Sequence, residues 1–321
     1  MSQIVISEFL VQPDIILIDD IKELYTNSNW IKAFCRNKAA FPYLKNRIKK
    51  WIPVHFKWIS SHCDDIEFLR KNKDKIDYFE ICKNQCIPYI MDLLYDHLDE
   101  LDWSELSKNP FSFPLLSKYP EYIDWWYMCQ NTSLEVMNML EEKYMMYVQW
   151  LPLSSNPSAI NILKKNLNMI DKAALNINPN AFEILRDHPE FIDYRALCSN
   201  QSKEAINIIE KNIRREDISF ELLSSNKYAI HLLIKNPDKI DWYMAIDNEE
   251  IGQLFIAFPD KVNSLIIKYV SKYKSVIPFL KDYLYDISPI KLAENPHIFK
   301  VDISSYKTKK SIFQKIISKF I

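Results

Sequence analysis

Two polar fixed points return along this chain at a regular interval, with short apolar-faced stretches between them. Asn156-Pro157-Ser158-Ala159-Ile160-Asn161-Ile162-Leu163 recurs 22 residues later as Asn178-Pro179-Asn180-Ala181-Phe182-Glu183-Ile184-Leu185, and again as Asn226-Lys227-Tyr228-Ala229-Ile230-His231-Leu232-Leu233. The second fixed point is Ile76-Asp77, Leu101-Asp102, Ile123-Asp124, Ile170-Asp171, Ile192-Asp193 and Ile240-Asp241. Looser copies of the first begin near Asn84, Asn109 and Asn131, so the interval is 22 to 26 residues throughout. Within a copy, Ala159, Ile160 and Leu163, or Ala181, Phe182 and Leu185, mark the apolar face of an amphipathic helix.

Local backbone chemistry predicts two helices per copy. Asn-Pro at 109/110, 156/157, 178/179 and 295/296 reads as an N-cap followed by proline at the first helical position, where its missing N–H costs nothing. About ten residues on, Asn166, His188-Pro189, Asn212 or Asn236-Pro237 suits a left-handed stop. The Asp of each Ile-Asp step then caps a second, shorter helix, and Asp77-x-x-Glu80 and Asp102-x-x-Glu105 have the form of a capping box. Helices this short do not persist alone in water. Each copy must bury its apolar face against its neighbours, and that predicts an all-α fold, an α-solenoid of about 11 two-helix repeats. The array spans residues 31–296, with an N-terminal extension at 1–30 and a lysine-rich capping helix at 297–321.

Composition narrows the picture further. Gly252 is the single glycine in 321 residues, which excludes the glycine-rich phosphate loops of nucleotide-binding folds. With 48% apolar and 13% aromatic residues the chain can fill a core. No stretch of about 18 uncharged apolar residues occurs, and the first residues lack a basic leader, so a soluble protein without signal peptide or membrane span is expected. Six cysteines without disulfide-framework spacing read as reduced thiols of a cytosolic protein.

Charge changes the picture more. The net charge is −1, yet residues 31–60 hold eight Lys or Arg and no acid, +8, whereas residues 61–150 hold 17 acids and eight bases, −9. Residues 261–321, with 12 lysines and four acids, return to +8. In the first basic segment Arg36, Lys38, Lys45, Arg47, Lys49, Lys50 and Lys57 are interleaved with aromatics that include Trp51 and Trp58. That is the composition of a nucleic-acid surface, of a partner-binding surface, and equally of a solvated helix face with snorkelling lysines.

The pattern N-P-x-A-I-x-(I/L)-L, then I-D-(W/Y), then the Asn that opens the next copy, resembles helical-pair repeats of large nucleocytoplasmic DNA viruses of the mimivirus kind. The resemblance covers roughly residues 61–250 and is clearest over 156–247. It implies a repeat fold and a viral setting (host cytoplasm, viral factory or virion) and carries no active site with it.

Candidate chemistry is sparse. Cys82, Cys86 and His97, with Cys63, form the one cluster to weigh as a metal site, but Cys82 and Cys86 at i, i+4 read as buried packing, and structural zinc needs a second paired set. The repeated carboxylates read as caps. No catalytic group, cofactor, metal or small-molecule substrate is expected. Aromatics one place after the capping Asp (Tyr78, Trp103, Trp125, Tyr194 and Trp242) recur in register and predict a ladder along one edge, serving either packing between copies or the gripping of a peptide or base. The expected function is a non-enzymatic protein-binding scaffold, with nucleic-acid binding through the basic units and a structural role in a virion as alternatives.

Overall fold

A computed structural model describes residues 56–280 together with Tyr283, Ser288, Lys291 and Asn295. The extension at 1–30, the capping helix at 297–321 and basic residues Arg36 to Trp51 lie outside the described residues. Within them the regular elements are short α-helices of four to ten residues, from Phe56–His62 to Ile277–Leu280, joined by single 3-10 turns, with no strand among the described residues. The chain forms two compact units. One is Asp64–Asn248, and the other takes in the described residues up to Cys63 and from Glu249 onward.

The copy that starts at Asn156 shows why the sequence folds this way. Its first helix, Ile160–Lys165, buries Ala159, Ile162 and Leu163, the i, i+3, i+4 face, while Ile160 is half-buried. After the 3-10 turn Leu167–Met169, Asp171 caps the second helix, Lys172–Ile177, by accepting from the Ala174 N–H at 2.8 Å. Asp77, Asp102 and Asp193 make the same bond three residues on, at 2.9 to 3.1 Å. Asp124 and Asp241 each accept two N–H groups. The predicted caps are therefore present.

Two local expectations are corrected. First, Asn109, Asn156 and Asn178 of the Asn-Pro pairs are not N-caps, and the helix expected after Asn295 lies outside the described residues. Helices begin at Phe113, Ile160 and Phe182, four residues after Asn109, Asn156 and Asn178. Each Asn instead closes a tight turn, its Oδ1 accepting the N–H two residues on at 2.9 Å. Second, the stops are not left-handed. Asn166, His188, Asn212 and Asn236 have φ of −134°, −129°, −118° and −132°, and Asn166, Asn212 and Asn236 use Nδ2 to cap the carbonyl four residues back. The chain stays right-handed because it runs directly into a 3-10 turn or its equivalent. Glycine is unnecessary there.

The turn asparagines have a larger task. Asn178 Nδ2 donates to the Ser154 carbonyl at 3.0 Å and the Asn156 carbonyl at 2.7 Å, 24 and 22 residues upstream. The same pair of bonds is made by Asn109, Asn131, Asn156, Asn200, Asn226 and Asn248, each reaching back to the preceding Asn and to the residue two before it. All are nearly or fully buried. A continuous ladder thus joins copy to copy from Asn84 to Asn248. In the other compact unit Asn295 makes the equivalent bonds to the Ser271 and Tyr273 carbonyls.

A second ladder runs beside it. The residue two before each ladder asparagine from Asn84 to Asn226 is Cys82, Ser107, Cys129, Ser154, Asn176, Cys198 or Ser224. Its side chain accepts the backbone N–H that opens the next second helix. Asp102 donates to Cys82 Sγ at 3.2 Å, Asp124 to Ser107 Oγ at 2.9 Å, Gln149 to Cys129 Sγ at 3.3 Å, and Asp171, Asp193 and Asp241 to Ser154, Asn176 and Ser224 at 3.0 to 3.1 Å. The Asp102 N–H is thereby engaged by the preceding copy, so the reciprocal bond of a capping box from Glu105 is not what closes this helix. Burial pushes the Cys82 thiol up to about 12, and Cys129 and Cys198 shift in the same direction. These are neutral acceptors.

A prediction follows from the shared role. Cys129→Ser should leave stability nearly unchanged, because Ser107 and Ser154 already serve at this place. Cys129→Val keeps the bulk but removes the acceptor of the Gln149 N–H, and because Gln149 is exposed the loss should be that of one ordinary hydrogen bond, about 1 kcal/mol. Urea unfolding of the two variants measures the difference; equal midpoints would refute the role.

Candidate functional site

Where the predicted site residues stand can now be read off. Of the basic segment, only Lys57 and Trp58 are among the described residues. They lie on the helix Phe56–His62, the Lys57 ammonium 5.8 Å from the Trp58 ring centroid. Arg36, Lys38, Lys45, Arg47, Lys49, Lys50 and Trp51 lie outside the described residues.

The cysteine–histidine cluster is dispersed into the frame. Cys82 Sγ donates to the Tyr78 carbonyl at 3.3 Å and accepts from Asp102. His97 stacks on the Tyr78 ring at 3.7 Å and its Nδ1 lies 2.7 Å from Glu100. Among the described residues no three His, Cys, Asp or Glu side chains converge as metal ligands would.

Tyr78, Trp103, Trp125 and Tyr194 are brought into contact across copies, each against the turn of the following one. Trp103 stacks on Tyr122 at 4.5 Å and 13°, and Trp125 on Tyr147 at 4.6 Å and 12°. Further along, the same step is made with a cation. Arg215 lies 4.1 Å from the Tyr194 centroid, Lys239 lies 4.5 Å from Phe220, and in reversed order Lys172 lies 4.7 Å from Phe191. One ring and one partner suffice for the step, since a ring with another ring or a cation contributes about 0.5–1.5 kcal/mol. Trp242 occupies the corresponding place and is half-buried.

Two consecutive steps carry more aromatic surface than the frame requires. At the stop position, where other copies have Asn166, Asn212 or Asn236, the chain has Tyr119 and Tyr144. Tyr119 lies 6.1 Å from Trp103 and 6.5 Å from Tyr122, edge-on to both. Tyr144 lies 5.0 Å from Trp125 and 6.3 Å from Tyr147. Two triads result, Trp103/Tyr119/Tyr122 and Trp125/Tyr144/Tyr147. They are not buried, with Tyr122 47% and Tyr147 44% exposed. Substituting tyrosine for a capping asparagine forfeits the hydrogen bond that Asn166, Asn212 and Asn236 keep.

Beside the triads, the second helices present apolar residues to solvent. At their second position Phe79, Trp126 and Leu151 are exposed, as is Tyr127 one place on and Met146 in the adjoining turn. The equivalent places elsewhere hold Ser104, Ala173, Arg195 and Glu221, and in the helix Trp242–Ala245 the exposed Tyr243. The frame fixes the residue immediately before each Cys/Ser/Asn position as fully buried (Ile81, Leu106, Met128, Leu153, Leu175, Leu197 and Leu223) and leaves this outward position free to vary. Rings and apolar side chains on exposed sites of an acidic segment are the material of a contact surface.

Sequence reading picked out Trp103 and Trp125 but not Tyr119, Tyr122, Tyr144 and Tyr147, whose signal was the interruption of the Asn stop. No helix among the described residues is long and apolar enough to cross a membrane. Comparison with protein-family models, with curated proteins and with solved structures finds no match.

Proposed function

We propose that this protein is a non-enzymatic scaffold, an α-solenoid that holds a partner protein along the second helices of residues 78–177. The observation that carries this reading is the paired aromatic triads with the exposed Trp126, Tyr127 and Leu151 beside them. They exceed what the repeat frame uses, and tryptophan and tyrosine dominate the energetics of protein contacts. The repeated carboxylates support a non-catalytic role, because Asp77, Asp102, Asp124, Asp171, Asp193 and Asp241 are engaged as caps. The resemblance to repeats of large DNA viruses supports a setting in a viral programme, in host cytoplasm, viral factory or virion.

Site-specific photo-crosslinking in virus-producing cells tests the scaffold. A benzophenone side chain at Trp126 or Leu151 should yield a discrete adduct of one added protein, and the same group at the exposed Asn161 on a first helix should not. Failure of both second-helix sites to trap any protein, or equal trapping at Asn161, would sink the reading. Nucleic-acid binding by the two +8 segments is the competing reading, and its signature is affinity that falls steeply with salt.

A further inference from the structure

One cation in the acidic unit is held in an unusual way. Lys118 is exposed and forms no ion pair among the described residues; its Nζ lies 3.9 Å from the centroid of Tyr95 and 5.5 Å from that of Tyr119. Tyr95 is tilted against Tyr119 at 6.4 Å, and Tyr119 in turn abuts the stacked Trp103 and Tyr122. Four rings therefore form one partly exposed cluster, and a lysine of the same chain rests on its outer members. The repeat does not require this arrangement. Lys118, like Arg215, Lys239 and Lys172, rests on the ring of a neighbouring copy, but at Trp103 the step that those cations complete elsewhere is already completed by Tyr122.

The charge around the cluster points the same way. Asp96 follows Tyr95, Glu121 precedes Tyr122, and Asp99 lies in the adjoining turn. All three are exposed, and none forms an ion pair among the described residues. Ring faces attract cations through their quadrupole, and nearby unpaired carboxylates raise the local concentration of basic ligands.

We propose that the Tyr95/Tyr119 face is a site for a cationic side chain, an arginine of a basic segment in a partner protein, and that Lys118 is a resident placeholder which that arginine displaces. Arginine suits the site better than lysine because its planar, weakly hydrated guanidinium stacks on rings. The proposal rests on the scaffold reading in that a protein supplies the arginine, and it adds the chemistry of that partner.

The experiment uses the full chain and a fluorescently labelled, blocked peptide of alternating arginine and alanine, followed by anisotropy at low salt. The same peptide with citrulline, arginine's neutral isostere, is the control. Lys118→Ala empties the face and should tighten arginine-peptide binding about fivefold, the scale of one cation–ring contact. Adding Tyr95→Leu to Lys118→Ala should remove that gain, whereas adding Tyr95→Phe, which keeps the ring, should retain it. The citrulline peptide should not bind. Unchanged or weaker binding by Lys118→Ala, or full affinity with Tyr95→Leu present, would overturn the proposal and leave attraction by the carboxylates alone. These outcomes are separable from the scaffold test. Adducts at Trp126 with no response to Lys118→Ala remove the arginine site only, and a response without adducts removes the scaffold only.

Discussion

Asn178→Leu should lower stability by about 3–5 kcal/mol, because it strands several buried groups at once, each costing about 1–3 kcal/mol. The Ser154 carbonyl loses the Asn178 donor, the Asn156 carbonyl is left with the Ala159 N–H alone, the Asn180 N–H loses its acceptor, and Asn178 itself is fully buried, so water cannot substitute. For a unit of this size the loss should appear as a fall of about 10 °C in the thermal midpoint. Asn178→Asp should cost more still at neutral pH. It keeps the Oδ1 acceptor but turns the donating edge into an anionic oxygen facing two carbonyl oxygens. The buried carboxyl would therefore titrate above its unfolded value. Its penalty is absent below the unfolded value and grows as pH rises through the folded one, so the two variants should converge on acidification. Asn180→Ala is the control, because Asn180 is exposed and its single bond to the Pro157 carbonyl contributes under about 1 kcal/mol. Calorimetry at pH 7 and pH 4 checks all three. Loss in Asn178→Leu no larger than in Asn180→Ala would mean that the ladder is not what joins the copies.

What the sequence revealed of this fold divides by range. The Asp caps were legible because a cap is made within three residues, and Asp77, Asp102, Asp171 and Asp193 all make it. The ladder asparagines were located but misassigned, because their donors act 22 to 28 residues upstream, beyond any local rule. A sign was present. Asn84, Asn131, Asn200, Asn226 and Asn248 recur at the same place without a following proline, so the asparagine was wanted for itself and not as half of an Asn-Pro start. Cys82 was read as packing, and Cys129 and Cys198 only as reduced thiols. Their alternation with Ser107, Ser154 and Ser224 at one fixed place marked them as small side chains with a lone pair, which apolar packing alone does not select. The aromatic surface followed the same logic in reverse. Trp103 and Trp125 stood out because they obey the register, whereas Tyr119 and Tyr144 matter because they break it.

Gly252→Ala should destabilise the other compact unit, against the usual sign for a helical glycine. In a helix interior alanine is favoured by about 0.8–1.0 kcal/mol, and Gly252 lies in the helix Ile251–Ala257 with no left-handed backbone to demand glycine. Close approach decides the matter. A Cβ at 252 would lie 2.6 Å from the Ser275 carbonyl carbon and nearer still to its oxygen. Backbone cannot rotate away as a side chain can, so the overpacking cost, about 1–3 kcal/mol and here at its upper end, exceeds the helical gain. The equivalent place in other copies holds Phe113, Ile160, Phe182 or Ile230, and what differs here is the turn that follows. Tyr273 stands where a ladder asparagine would, and Ser275, two residues on, donates to the Glu249 carbonyl at 2.5 Å and receives the Gly252 N–H at 3.4 Å. The lone glycine of the chain and the break in the asparagine ladder thus belong to one joint: removing Cβ lets the turn approach closely enough to bond without the asparagine. Two variants separate this account from a side-chain clash. If backbone is the obstacle, Ser275→Gly will not rescue Gly252→Ala, and in chemical unfolding the two losses will at least add; rescue by Ser275→Gly, or a gain in stability from Gly252→Ala alone, would show that the approach is not as close as the joint requires.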